Sequence, residues 1–155
     1  MPANFYRTNQ AELLELAKAA TKSTGWRKDA IAFGMRFGPD QDPAAVVVFQ
    51  RFFEGEAEMH FGMMGNHVMG RELVEGIVMI AFHPRMFALH TLYAPIAVSN
   101  IRAQIAALKV GFQIEHRRPA IAPDQEDAIV FAMRRWEASG ETAAYDTQPA
   151  PLTGD

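Results

Sequence analysis

The alternation of apolar and polar residues changes period several times along the chain, and each change marks an element. In "AELLELAKAATK" (Ala11–Lys22), Leu13, Leu14, Leu16 and Ala17 share one helical face and Ala20 continues it. Thr8 or Asn9 is placed to cap this helix and Gly25 to stop it. The period then shortens. "AIAFGMRF" (Ala30–Phe37) alternates imperfectly and runs into "GPDQDP", which is turn chemistry. "AVVVFQRFF" (Ala45–Phe53) is a β-branched and aromatic run suited to a buried strand. "EAEMHF" (Glu56–Phe61) is a third strand, with Glu58 and His60 on one face and Met59 and Phe61 on the other.

"GMMGNHVMG" (Gly62–Gly70) has three glycines in nine residues, and a second helical pattern follows through Leu73, Val74, Ile77, Val78 and Ala81. Pro84 marks its end. "ALHTLYAPIAV" (Ala88–Val98) predicts a strand containing Pro95. Next comes "VSNIRAQIAALKVGFQIE", which reads as a capped connecting helix. Ser99 is its expected N-cap, Ile101, Ile105 and Leu108 its expected buried stripe, and Gly111 the left-handed residue that closes it. Phe112 then re-enters the core. "FQIEHRRPAI" and "DAIVFAMRRWE" predict two further strands around the loop "APDQE". The order is helix, three strands, helix, strand, helix, two strands. Three consecutive strands predict an antiparallel meander, and the strand–helix–strand crossover predicts a parallel pair. The fold class is therefore a mixed α/β sheet with flanking helices. Residues 1–137 read as one domain, and 138–155, without an apolar period, as a flexible C-terminal tail.

Composition narrows the function. A formal charge of −3 gives no general electrostatic reason to bind nucleic acid or an anionic membrane. With no cysteine, the chain has no disulfide, thiolate nucleophile or Cys-ligated zinc. The first residues lack a basic region followed by an apolar core, and no window approaches a membrane-spanning length. A soluble cytoplasmic protein is the expectation. The histidines lack metal-site spacing such as HExxH, so no metal is assigned.

The ends of the connecting helix are more specific than capping requires. Asn100, about ten helical residues, Gly111-Phe112 and Glu115 resemble the signature of the GNAT superfamily of acyl-CoA-dependent N-acyltransferases. "VVVFQRF", "EMHF", the glycine-bearing loop with its helix, and "EDAIVFAMRRWE" are similar to other parts of that family. In flavour they are closest to its phage- and prophage-encoded members. The resemblance covers residues 30–137. It implies a GNAT-like, mostly antiparallel sheet in which two neighbouring parallel strands splay apart to admit the pantetheine arm of acetyl-CoA, the co-substrate. Those strands would be Glu56–Phe61, extending toward Met63, and Leu89–Val98. It also implies a pyrophosphate site at the helix after "GMMGNHVMGRE", with His67, Gly70 and Arg71 binding and Asn100 either touching the cofactor or ordering its junction. Glu72 departs from the small residue the family places there. A homodimer is among the assemblies the family uses.

Direct acyl transfer to a primary amine needs a base for the ammonium proton and an acid for the leaving thiolate. Glu58 and His60, on one strand face, are the base candidates. The family's catalytic Tyr would fall at Ala107, so Tyr93 is the candidate acid. "EHRRPAI" is either a mouth for acidic groups or an exposed strand end. The methionines either fill the core or line a groove. The expected partner is an amine-bearing small molecule or macromolecule. The competing reading is a catalytically silent GNAT-fold binding or regulatory module.

Overall fold

The computed structural model describes residues 4–67, 70–120 and 125–135. The predicted tail at 138–155, like Trp136 and Glu137 of the last predicted strand, lies outside them. The chain forms two compact units, Met1–Val78 and Met79–Asp155.

In the first unit, β1 (Asn4–Tyr6), β2 (Ile31–Arg36), β3 (Ala45–Phe53) and β4 (Glu56–Met63) pair in that order, each antiparallel to the next. The predicted meander is β2–β3–β4. At three residues, β1 is too short to show a period, and sequence reasoning missed it. Helix α1 (Gln10–Thr21) follows β1 and lies on one sheet face. Its Leu13 and Ala17 pack against Ala32, Val46 and Val48, which strand alternation places on that same face. Asn9 is the N-cap, as one of the two expected residues. The stop is Lys22 in a left-handed conformation, not Gly25. Gln10 fixes the helix to the sheet: its amide donates to the Ala32 carbonyl (2.7 Å) and accepts from the Ala32 N–H (2.8 Å). On the opposite face Phe33, Met35, Ala45, Val47 and Phe49 are buried.

Helix α2 (Arg71–Phe82) begins in the first unit and ends in the second. In the second unit the order is β5 (Thr91–Ala97), β7 (Ala128–Arg134), β6 (Gln113–Arg118), again antiparallel between neighbours. Leu92, Ala94, Val130, Phe131 and Met133 fill its core.

Helix α3 (Ile101–Lys109) corrects two expectations. Its N-cap is Asn100, whose Oδ1 accepts from the Ala103 N–H (3.2 Å). Ser99 instead donates through its backbone N–H and its hydroxyl to the two oxygens of Glu126, both at 2.8 Å. The predicted buried stripe is turned outward: Ile101, Ile105 and Leu108 are exposed and Ala107 is buried. The cause is Gln104, whose amide donates to the Ala97 and Val98 carbonyls at the end of β5 (3.1 and 2.9 Å). Those bonds fix the rotation of the helix, and the stripe faces solvent. Val110 is the C-cap, Gly111 follows at φ 105°, and Phe112 is buried as expected.

No helix among the described residues is long and apolar enough to cross a membrane.

Candidate functional site

Strand alternation places Gln50 of β3 opposite Glu58 and Val48 opposite His60, all on the face that α1 covers. Here an otherwise apolar surface turns polar. His60 Nε2 lies 2.9 Å from Glu58 Oε1, with the Glu58 side chain 8% exposed and that of His60 22%. With Glu58 ionised its carboxylate only accepts, so the proton in this hydrogen bond is the imidazole's on Nε2, and in the neutral ring the lone pair then lies on Nδ1. The sequence-predicted pair is thus one hydrogen-bonded unit.

Three residues that the sequence did not single out complete it. Gln50 is buried, its Oε1 accepting from the Arg27 N–H (2.9 Å); its amide nitrogen lies 3.5 Å from His60 Nε2, where two donors meet and form no hydrogen bond while Nε2 donates to Glu58. Trp26 sets its ring edgewise to the imidazole at 5.6 Å, and its indole N–H donates to the Leu14 carbonyl (2.9 Å). Arg51 brings its Nε to 3.8 Å from Glu58 Oε2. Gln50 left a trace in the sequence, as the one amide in the run "AVVVFQRFF"; the part played by Trp26 did not.

Arg51 reaches Glu58 through an irregularity. Between the pairs Gln50–Glu58 and Phe53–Glu56, β3 has one residue more than β4, a β-bulge, and Arg51 sits there at φ 59°. A left-handed non-glycine residue costs about 1 kcal/mol. Asp29 holds the bulge: one carboxylate oxygen accepts from the Arg51 N–H (3.1 Å) and the other from the Phe52 N–H (2.8 Å). The hairpin then turns through Glu54 and Gly55, both at positive φ as a tight two-residue turn requires.

Two residues past His60 on the same face is Gly62. A Cβ there would lie 2.5 Å from Ala20 Cβ and 3.1 Å from the Ala20 carbonyl carbon. Glycine is what lets α1 lie directly on β4 beside the pair.

The residues expected to hold pyrophosphate gather on the other face. Met35, Phe37, Met63, His67, Gly70 and Arg71 line a shallow cavity of about 140 Å³ at the start of α2. The Val74 N–H bonds the Gly70 carbonyl (3.3 Å), so Gly70 stands where a capping side chain would be. Having no side chain, Gly70 adds none to the helix N-terminus, where N–H groups and the helix dipole favour an anion. His67 packs on Phe37 with ring centroids 5.7 Å apart. Two features oppose an anion: Glu72 lines the same cavity, and the Arg71 guanidinium is bonded to Glu75 (3.0 Å).

Tyr93 and Asn100 belong to the second unit. Tyr93 is half-buried on β5 opposite Ala132, and Asn100 caps α3. In the "EHRR" stretch Glu115, His116 and Arg117 are exposed and Arg118 is half-buried, with Arg117 paired to Asp127 (2.8 Å) and Glu115 to Arg134 (2.5 Å). Hydrogen bonds from the Ala120 N–H and from Arg117 hold the Asp127 carboxyl below its ordinary range. Arg134 does the same for Glu115, and the Ser99 N–H and hydroxyl for Glu126.

No protein-family model and no curated protein sequence matches the chain. Solved structures do. A T. thermophilus protein assigned to the acetyltransferases is similar over 93% of this chain and 92% of its own, with a TM-score of 0.72 at 13% identity. Spermidine/spermine N-acetyltransferase SpeG from Vibrio cholerae, solved with manganese ions, is similar over 94% and 98%, with a TM-score of 0.71 at 12% identity. A chimera of the Vibrio cholerae enzyme with hSSAT covers 89% and 99%, at 0.72 and 14%. At these identities the likeness is one of fold. The fold is GNAT-like, as the sequence resemblance implied: mixed α/β, with seven strands mostly antiparallel, one parallel pair, and three helices among the described residues.

Proposed function

We propose that the chain is an acyl-CoA-dependent N-acyltransferase that moves an acetyl group directly from acetyl-CoA to a primary amine. The observation that carries this is the hydrogen-bonded Glu58–His60 pair, set in a fold shared with acetyltransferases; with Glu58 ionised and the ring neutral, Nδ1 is the basic atom. Nδ1 takes the ammonium proton, and the freed amine attacks the thioester carbonyl carbon. The nitrogen of the tetrahedral adduct gives up its second proton to water, the C–S bond breaks, and the thiolate leaves and takes a proton from water or from an acid. Tyr93→Phe tests whether a phenol supplies that proton. No covalent enzyme intermediate is needed, in keeping with a chain that has no cysteine.

Acetyl-CoA would be held at the start of α2, through the helix N-terminus with His67, Gly70 and Arg71. Arg71 would have to exchange Glu75 for phosphate. Because that cavity and the pair lie on opposite faces of β4, a co-substrate anchored at α2 must bring its thioester past the strand to reach His60. The acceptor is an amine on a small molecule or a macromolecule.

The deciding measurement is release of CoA from acetyl-CoA in the presence of a panel of primary amines. Turnover is expected, with His60→Ala and Glu58→Ala lowering it at least a hundredfold while the fold stays intact, a typical general-base loss of about 10²–10⁴. Isothermal titration that finds no binding of acetyl-CoA or CoA at millimolar concentration would end this reading. The second reading, a silent binding module on the same scaffold, draws on Glu72 in the cavity and on the small buried Ala107 where a catalytic Tyr would stand.

A further inference from the structure

In a regular strand Arg51 would follow Gln50 onto the opposite face, beside the buried Phe49 and Met59. A guanidinium there would lie beside apolar side chains, away from Glu58. The bulge reverses its direction: with one extra residue in β3 and Arg51 at φ 59°, the side chain comes over the face where Glu58 lies. Asp29 spends both of its carboxylate oxygens on the two bulge N–H groups. Glu58 in turn divides its oxygens, Oε1 to His60 and Oε2 toward Arg51. Arg51 and His60 approach this carboxylate, and Gln50 and Trp26 lie against the imidazole.

We propose that Arg51 is a positioning residue for His60. Carried onto Glu58 by the bulge that Asp29 holds, it fixes the carboxylate so that Oε1 keeps the imidazole proton on Nε2 and the lone pair on Nδ1. The role assigned to Nδ1 rests on the acyl-transfer reading above. The tautomer does not.

Two readouts separate the claims: steady-state kinetics with acetyl-CoA and an accepted amine, and nitrogen-detected NMR of the His60 imidazole, which reports the protonated ring nitrogen without turnover. Arg51→Gly is the principal variant, because glycine suits the left-handed backbone and preserves the bulge. The wild type should show a single tautomer protonated on Nε2. Arg51→Gly should show both tautomers, with kcat lowered about tenfold and KM for acetyl-CoA unchanged, a loss of orientation rather than of binding. Arg51→Lys should restore most of the rate and the single tautomer. In a Glu58→Gln background Arg51→Gly should cost nothing further, because the two act in series. Asp29→Ala should reproduce the mixed tautomers. Wild-type kcat and an unchanged imidazole spectrum in Arg51→Gly would overturn the proposal. If the wild type acetylates no amine, the acyl-transfer reading falls, and the spectrum alone decides whether Arg51 sets the tautomer.

Discussion

At Gly62 a single hydrogen atom decides how closely two elements meet. A Cβ at that position would overlap Ala20, including its backbone carbonyl carbon, which cannot move without the helix. Gly62→Ala should therefore destabilise the protein by about 1–3 kcal/mol, the usual cost of overpacking. Urea denaturation measures it, and a loss below about 0.5 kcal/mol, on the order of a neutral surface change, would mean that α1 yields. This contact was hidden in the sequence, where Gly62 reads only as the first of three loop glycines. The Glu58–His60 pair was legible because a period of two needs no tertiary information to put i and i+2 on one face. Gln50, Trp26 and Arg51 were not, since register across strands, loop closure and a bulge decide what they touch.

Among the elements, α3 shows what periodicity does and does not specify. The spacing of Ile101, Ile105 and Leu108 correctly gave a helix, but it could not say which face turns inward. Gln104 settles that with two hydrogen bonds to β5. Replacing Ile105 and Leu108 with Gln should change the unfolding free energy of the isolated chain by less than about 0.5 kcal/mol each. A loss of about 2 kcal/mol or more in urea denaturation, on the order of a core truncation, would show the stripe buried. The β6–β7 connection carries a pH dependence. Glu115, Glu126 and Asp127 are all held below their ordinary range by hydrogen bonds. A depressed carboxylate adds stability that is complete at neutral pH, above its unfolded value, and is lost as pH falls through its folded value. The amide protons of Val98 and Ala120, donated to the Asp127 carbonyl and carboxylate, should lose exchange protection as pH drops below the carboxylate range. In Asp127→Asn, Ala120 should be less protected at neutral pH and less sensitive to acid.

For the molecule as a whole, the sequence supplied the class of fold because the order of elements and the Asn100-to-Phe112 signature agreed with each other. Activity was less legible, since it depends on which side chains converge. If acetyl-CoA binds the folded chain alone, mass action requires it to raise the melting temperature. At a hundred times the dissociation constant the gain is about 2.7 kcal/mol, readily seen by differential scanning fluorimetry. No shift at millimolar acetyl-CoA would count against the acyltransferase reading. A native mass spectrum with and without acetyl-CoA would report retained ligand and assembly size together, and so test the expected homodimer.

The β3–β4 hairpin is one residue longer than its ladder needs. That surplus makes it unusually tolerant of a particular kind of genetic accident. Deleting Arg51 would put Phe52 opposite Ala57 and leave Phe53, which is 71% exposed, opposite Glu56 as it already is. No other residue of the strand would change sides. Deleting Val47, by contrast, would invert the sidedness of everything between it and the bulge. A frame of three nucleotides lost at codon 51 should give a folded protein without its guanidinium beside Glu58, and the same loss at codon 47 should give none, as circular dichroism of the two purified proteins would show.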